Sequence, residues 1–351
     1  MRWIRFCLFL LLCALYGAAP AWTAPALAAD LELAERTDRS QPARIFVVHS
    51  YHPDYVWCKS IDQGIRQVMQ GRHVLLTSFY LDAKRDPDPA NLRARALDIL
   101  AKIDAGKPQV VIAADDVAQE YLVVPHLKGR AAPQVIFCGV NARLKRYGYP
   151  AANVSGVLER WQYREGFALL KRIAPEARTV AVFFDSSETS AYLMSDMKEE
   201  ARKGPFALKI VGIESPRTFQ QWQHRVQYYQ GRADSLAFGL YHTLVDERTG
   251  QVVPPEQVMT WTNAVNRRPT LGFTDFAAKQ GLLCGVLGSG QEQGRHAAEM
   301  ARQVLERGVS AGSLPVRTNK TGDILVNLKT AERLGINVPY EIINAAGIVV
   351  K

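Results

Sequence analysis

"VVHSYHPDYVWCKSIDQGI", residues 47–65, runs from an apolar stretch through a loop crowded with rings into a segment with helical spacing. The β-branched run "RIFVVHS" (44–50) that contains its start reads as a strand, and residues 57–70 read as a helix. A strand passing through a short loop into a helix is half of a βαβ unit, and the chain repeats it. "HVLLTSFYL" (73–81), "QVVIAA" (109–114) and "QVIFCGV" (134–140) are further short apolar runs, with helix-like stretches at 90–105 and 116–128. In the first of these helices Leu92, Ala96, Leu97, Leu100 and Ile103 share one stripe, which Gly106-Lys107-Pro108 ends. Strands apolar on both faces and separated by helices predict parallel sheets covered on both sides.

The pattern then restarts. "TVAVFFD" (179–185), "ALKIVGIE" (207–214), "SLAFGLY" (235–241), "PTLGFTD" (269–275) and "GLLCGVL" (281–287) read as strands, with helices at 188–203, 218–230 and 255–267. The fold class is therefore α/β, with two open lobes rather than one long repeat. Residues 43–153 plus about 289–312 are expected to form the first lobe. Residues 156–287 plus about 315–351 form the second, with a first crossing inside "GYPAANVSGVLER" (148–160).

The segment 1–28 has basic Arg2 and Arg5, an apolar run at 6–15 too short to span a bilayer, and Ala26-Leu27-Ala28 before a cleavage point. It reads as a signal peptide, so the mature chain is expected to be exported, to the periplasm or its equivalent. The formal charge of +9 is scattered, with no basic run of the nucleic-acid type. Cys58, Cys138 and Cys284 are odd in number and lack CxxC spacing; buried free thiols are the expectation, with one disulfide left open.

In open parallel sheets the ligand lies beyond the carboxyl ends of the strands. That rule nominates residues 49–54, Asp115, Asp116 and Asn141 in the first lobe. In the second it nominates Asp185, Ser187, Tyr241 and Asp275. Tyr51, Tyr55 and Trp57 offer flat surface for an aromatic or cationic ligand, although Trp57 also suits packing under its own helix. Ser187, Glu188 and Thr189 open a helix whose first amides attract a carboxylate or phosphate, or are simply capped by these side chains. Asp115 or Asp116 suits a ligand ammonium, and Asp116 alternatively caps the helix that follows. His49-x-x-His52 lacks a third ligand of matching spacing, so no metal is expected, and His49 is read as hydrogen-bonded to backbone. No nucleophile constellation is present, so neither catalysis nor a cofactor is expected.

Three stretches carry a family resemblance: "HSYHPDYVWCKSIDQGI" (49–65), "FFDSSETSAYLMSDMKEEA" (183–201), and "GSGQEQGRHAAEMARQVLERG" (288–308) with "DILVNLKTAERLGINVP" (323–339). They are similar to the periplasmic substrate-binding proteins of ABC transporters, in the type I branch that includes aromatic amino-acid binders. The resemblance implies two Rossmann-like lobes joined by a multi-strand hinge. It further implies a small solute held in the cleft by hinge closure, a membrane permease in separate chains as partner, and a monomer. Ser50, Tyr51, Ser187, Glu188 and Thr189 carry over by motif, and Asn141 and Asp275 by position. "AADDVAQE" (113–120) departs from the pattern, since many of the family carry uncharged small and hydroxyl residues there; two acids disfavour a carboxylate nearby and favour an amine or cation. The alternative function is an extracytoplasmic sensor module reporting its ligand to a signalling protein.

Overall fold

The computed structural model describes residues 41–274, 276, 280–319 and 322–351. The expected signal peptide therefore lies outside the described residues. Among the described residues no helix is long and apolar enough to cross a membrane.

Two sheets organise the chain. The first contains β1 (Ala43–His49), β2 (Val74–Tyr80), β3 (Val110–Ala114), β4 (Gln134–Val140), β5 (Val154–Leu158) and β11 (Arg317–Thr318), in the order β11-β5-β4-β3-β1-β2, all parallel. The second contains β6 (Thr179–Phe183), β7 (Lys209–Glu214), β8 (Ser235–Phe238), β9 (Thr270–Thr274), β10 (Cys284–Gly288), β12 (Asp323–Asn327) and β13 (Ile348–Val350). Its order is β13-β12-β10-β9-β8-β6-β7, with only β10 and β12 antiparallel. β3 is buried at every position, as a strand covered on both faces must be.

The strand order β2-β1-β3-β4-β5 recurs as β7-β6-β8-β9-β10. In each, the connections leave the first strand in opposite directions, which opens a crevice at the carboxyl ends between β1 and β3 and between β6 and β8. Helices pack the faces. α1 (Val56–Met69) buries Trp57, Cys58, Ile61 and Ile65, and α2 (Pro89–Gly106) starts with proline in its first turn and the Asp88 carboxylate accepting from two free amides. α3 (Asp115–Ala118) continues as a π-helical turn through Gln119–Leu127. α4 (Leu144–Tyr147) follows β4, α5 (Tyr163–Ile173) follows β5, and α6 (Glu188–Arg202) follows β6.

The chain leaves the first sheet after Leu158. α9, with α7 (Phe219–Tyr229) and α8 (Pro255–Val265) before it, spans Gly290–Arg307 and brings the chain back: its Ala297, Ala298, Met300 and Ala301 join the first core. Arg317–Thr318 pairs with β5, so the tail contributes a short strand to the first sheet before β12, α10 (Leu328–Leu334), α11 (Tyr340–Ala345) and β13 complete the second. Strand β5 likewise places Gly156–Leu158 in the first sheet, a few residues beyond the boundary expected from sequence. The α9 start is capped by Ser289, whose oxygen accepts from the Glu292 amide. Cys58, Cys138 and Cys284 are buried and free.

Candidate functional site

The loop after β1 is fixed from below. Ser50 Oγ donates to the Ala114 carbonyl at 2.6 Å and accepts from the Ala118 amide at 2.9 Å, which ties the end of β1 to the start of α3. The Leu81 and Ala83 amides donate to the His49 and Ser50 carbonyls, so the chain leaving β2 continues along the end of β1. This carries Lys84 over Tyr51, with Nζ 4.7 Å from the ring centroid. His49 is fully buried and hydrogen-bonds through Nε2 to Asp62 of α1 at 2.9 Å, so its partner is a carboxylate rather than backbone.

Asp115 takes φ +68° at the head of α3, a conformation that a non-glycine residue adopts only where its surroundings impose it. Trp57 Nε1 donates to its Oδ1 at 2.8 Å, while Oδ2 is buried without a partner. Opposite stands Gly139, at φ +66°, where a Cβ would lie 2.7 Å from Asp115 Oδ1. Any other residue at position 139 would push the carboxylate aside.

Across the cleft, Tyr51 and Thr189 share a 3.0 Å hydrogen bond, and the Tyr55 ring meets His242 edge-on at 5.3 Å. Arg146 of α4 reaches Glu188 at 3.5 Å and Arg143 pairs with Glu199, both partners on α6. The lobes thus touch through both rings and charges. Between them Glu159, just past β5, accepts from Asn141 Nδ2 at 2.9 Å and from Trp161 Nε1 at 2.7 Å, linking the first lobe to the second core.

These groups line a narrow cavity between the lobes. Burial pushes the Asp115 carboxyl well up, and the nearby Glu159 adds to this. Burial pulls the Lys84 ammonium down against the upward pull of Asp185 and Asp115. Burial raises Glu159 to about 7, outweighing its two hydrogen bonds. A carboxyl raised in the fold binds its proton more tightly there than in the unfolded chain. Its contribution is therefore fully present below the ordinary value and is lost as pH rises through about 7. Stability of the ligand-free protein is expected to fall by up to about 3 kcal/mol between pH 5 and 8, the equivalent of some two to three pKa units. Glu159→Gln should flatten that slope in urea titrations; an unchanged slope would remove Glu159 as its source.

Of the residues expected from sequence, Tyr51, Trp57, Asp115, Asn141 and Thr189 line the cavity, together with Tyr55. The other described ones sit behind it. Ser50 forms the stitch described above. Asp116 accepts from the Asn141 and Ala142 amides and from Tyr147 Oη, holding the loop after β4. Asp185 accepts from hydroxyls and amides of the loops after β6 and β8, Ser187 caps α6, and Glu188 is engaged by Tyr192 and Arg146. Tyr241 is core, its ring 6.0 Å from Trp222. Asp275 lies outside the described residues. Sequence reasoning missed Lys84, Glu159, Trp161, Leu193, Leu240 and Phe276. For Lys84 a signal existed: the carboxyl-end rule applies to β2 as well, and Lys84 follows that strand closely. Lys84 also places a cation in the cavity, which offsets the two acids that had argued against a carboxylate there. Among the described residues no group of three or more His, Cys, Asp and Glu is placed to hold a metal.

A family model described as "ABC transporter substrate binding protein" matches residues 88–350. The chain is similar to a tyrosine-binding protein of Clostridioides difficile, 24% identical over 188 residues, 53% of this chain and 50% of the relative; the match thus spans about half of that relative's length. Its fold is similar to an ABC domain from Streptococcus pneumonia in complex with L-Trp, at TM-score 0.68 and 19% identity, covering 88% of this chain and all of the other. It is also similar to the ligand-free, open structure of a substrate-binding protein with adhesive properties from Clostridium difficile, at TM-score 0.64 and 20% identity, covering 88% and 99%.

Proposed function

We propose, on the premise that this chain belongs to the ABC transporter substrate-binding protein family, that it captures an amino acid-like solute between its lobes and delivers it to a membrane permease. The family acts outside the cytoplasm, and the permease and ATPase would be separate chains. The observation that carries the reading is the cavity: buried aromatic surface from both lobes surrounds Asp115, whose second carboxylate oxygen has no partner. An ammonium supplied by a solute would satisfy that oxygen, and rings from Tyr55, Trp57 and Phe276 would cover a flat side chain. The similarity to a tyrosine-binding relative supports an aromatic amino acid.

Hinge closure would convert solute binding into a shape the permease reads. Contacts such as Tyr51–Thr189 would hold the closed form, and apparent affinity scales with the fraction of protein able to close. No residue is assigned to catalysis.

Native mass spectrometry of freshly purified protein, followed by a thermal-shift screen of the amino acids, tests the reading. A bound solute is expected to raise stability by about 2.7 kcal/mol at a hundred times its dissociation constant. Tyr51→Phe is expected to weaken binding about three- to tenfold, the worth of one hydrogen bond, without unfolding the protein. Absence of both a co-purified solute and any thermal shift, in protein shown to be folded, would defeat it.

A further inference from the structure

Among the described residues that line the cavity, the second lobe contributes no charge. Among the described residues, those lining it from the second lobe are Trp161, Thr189, Leu193, Leu240, Thr274 and Phe276, all uncharged. The first lobe supplies Lys84 and Asp115, of opposite sign, 5% and 2% exposed. Glu159, in the crossing, has both carboxylate oxygens engaged by Asn141 and Trp161.

Lys84 and Asp115 form no ion pair with one another, although each acts on the other's charge. Lys84 makes no ion pair or hydrogen bond through Nζ among the described residues, and its recorded contact is the Tyr51 ring. Asp185, the other acid that pulls on Lys84, has its oxygens occupied by hydroxyls and amides. A buried ammonium with no ion pair or hydrogen bond among the described residues, and a buried carboxyl group with one bare oxygen, are each costly to maintain in an empty site. A guest carrying both complementary charges relieves both at once.

We propose that Lys84 and Asp115 form a head-group clamp for a zwitterionic solute, with the solute carboxylate on Lys84 and its ammonium on Asp115 Oδ2. Both charges are then selected by the first lobe, and the described lining residues of the second lobe cover the side chain. The assignment deepens the transport reading and rests on it.

Titration calorimetry at pH 7 with L-tyrosine, tyramine and 3-(4-hydroxyphenyl)propionate tests the clamp, since the two analogues each lack one charge. Wild-type protein is expected to bind either analogue at least roughly 30-fold more weakly than L-tyrosine, because each leaves one protein charge buried and unpaired. Lys84→Met should weaken L-tyrosine about tenfold or more while changing tyramine less than about threefold; Asp115→Asn should do the converse with the propionate. Leu193→Ala, among those second-lobe residues, should weaken all three and keep their order. An analogue within threefold of L-tyrosine on the wild-type protein overturns the clamp, and this comparison needs no variant to fold. Should none of the three bind, the solute seen by native mass spectrometry decides. A co-purified solute carrying both charges supports the clamp. One lacking either charge overturns it and leaves the transport reading standing. No solute and no thermal shift removes both.

Discussion

Gly294→Val is expected to destabilise the protein by about 3 kcal/mol or more, lowering the melting temperature by roughly 6–12 °C. α1 and α9 pack backbone to backbone at two glycines. A Cβ on Gly64 would lie 2.0 Å from the Gln291 carbonyl oxygen, and one on Gly294 2.1 Å from that of Ile61. Neither clash is relieved by turning a side chain, because the obstacle is main chain on both sides; the helices have to part. α9 is the segment that returns the chain to the first lobe, and its alanines are core there, so separation loosens the whole lobe. The site should suffer too, since Trp57 lies against Gly290 in the same crossing, at 3.0 Å from a Cβ built there. Gly231→Ala is the matched control: nothing lies within 4 Å of its Cβ, and its stability should stay within about 0.5 kcal/mol. Calorimetric melting of both variants checks this; a Gly294→Val melting point within two degrees of wild type would refute the packing argument.

The α1–α9 crossing also illustrates what a single sequence conveys. Strand and helix positions follow from local periodicity, so "QVVIAA" and the 90–105 stripe are readable as they stand, and the observed β3 and α2 coincide with them within a residue or so. The carboxyl-end rule then brings Tyr51, Asp115 and Asn141 to one place without any knowledge of contacts. What periodicity lacks is partner choice. Asp115, Asp116 and Asp185 are equivalent in sequence, each an acid closing a strand. Only the fold shows that Asp116 and Asp185 spend their oxygens on neighbouring loops while Asp115 keeps one free. Lys84 depends on a longer chain of causes, the docking of residues 81–83 onto the end of β1. Glu159 lies in the crossing at 148–160 and Trp161 just past it, where no strand or helix periodicity points either side chain at the site. Their mutual hydrogen bond makes this crossing a wall of the cavity.

Asp185→Ala is expected to cost about 3–5 kcal/mol, because several buried donors lose their acceptor at once and each unsatisfied group costs about 1–3 kcal/mol. Oδ1 accepts from Ser187 and Ser190 hydroxyls at 2.5 and 2.6 Å, and Oδ2 from the His242 and Thr243 amides at 2.9 and 3.1 Å. The carboxylate thereby clamps the loop after β6 to the loop after β8, across the crevice where the second sheet's connections diverge. Alanine leaves those amides without an acceptor in a place water does not reach, as Asp185 is fully buried. Burial alone would raise this acid, but Lys84 and the two serine hydroxyls outweigh it and hold it at about 2. A carboxyl depressed in the fold stabilises above its unfolded value, and that contribution is lost as pH falls through the folded one. Wild type should therefore lose stability steeply between about pH 4 and 2, and Asp185→Ala should show a shallower acid limb from a lower plateau. Because Asp185 does not line the cavity, solute affinity measured well below the melting temperature should fall less than stability does. Urea unfolding across pH 2–7 separates these effects. A variant within 1 kcal/mol of wild type at pH 7, or one with an unaltered acid limb, would show that the clamp is not what holds these two loops together.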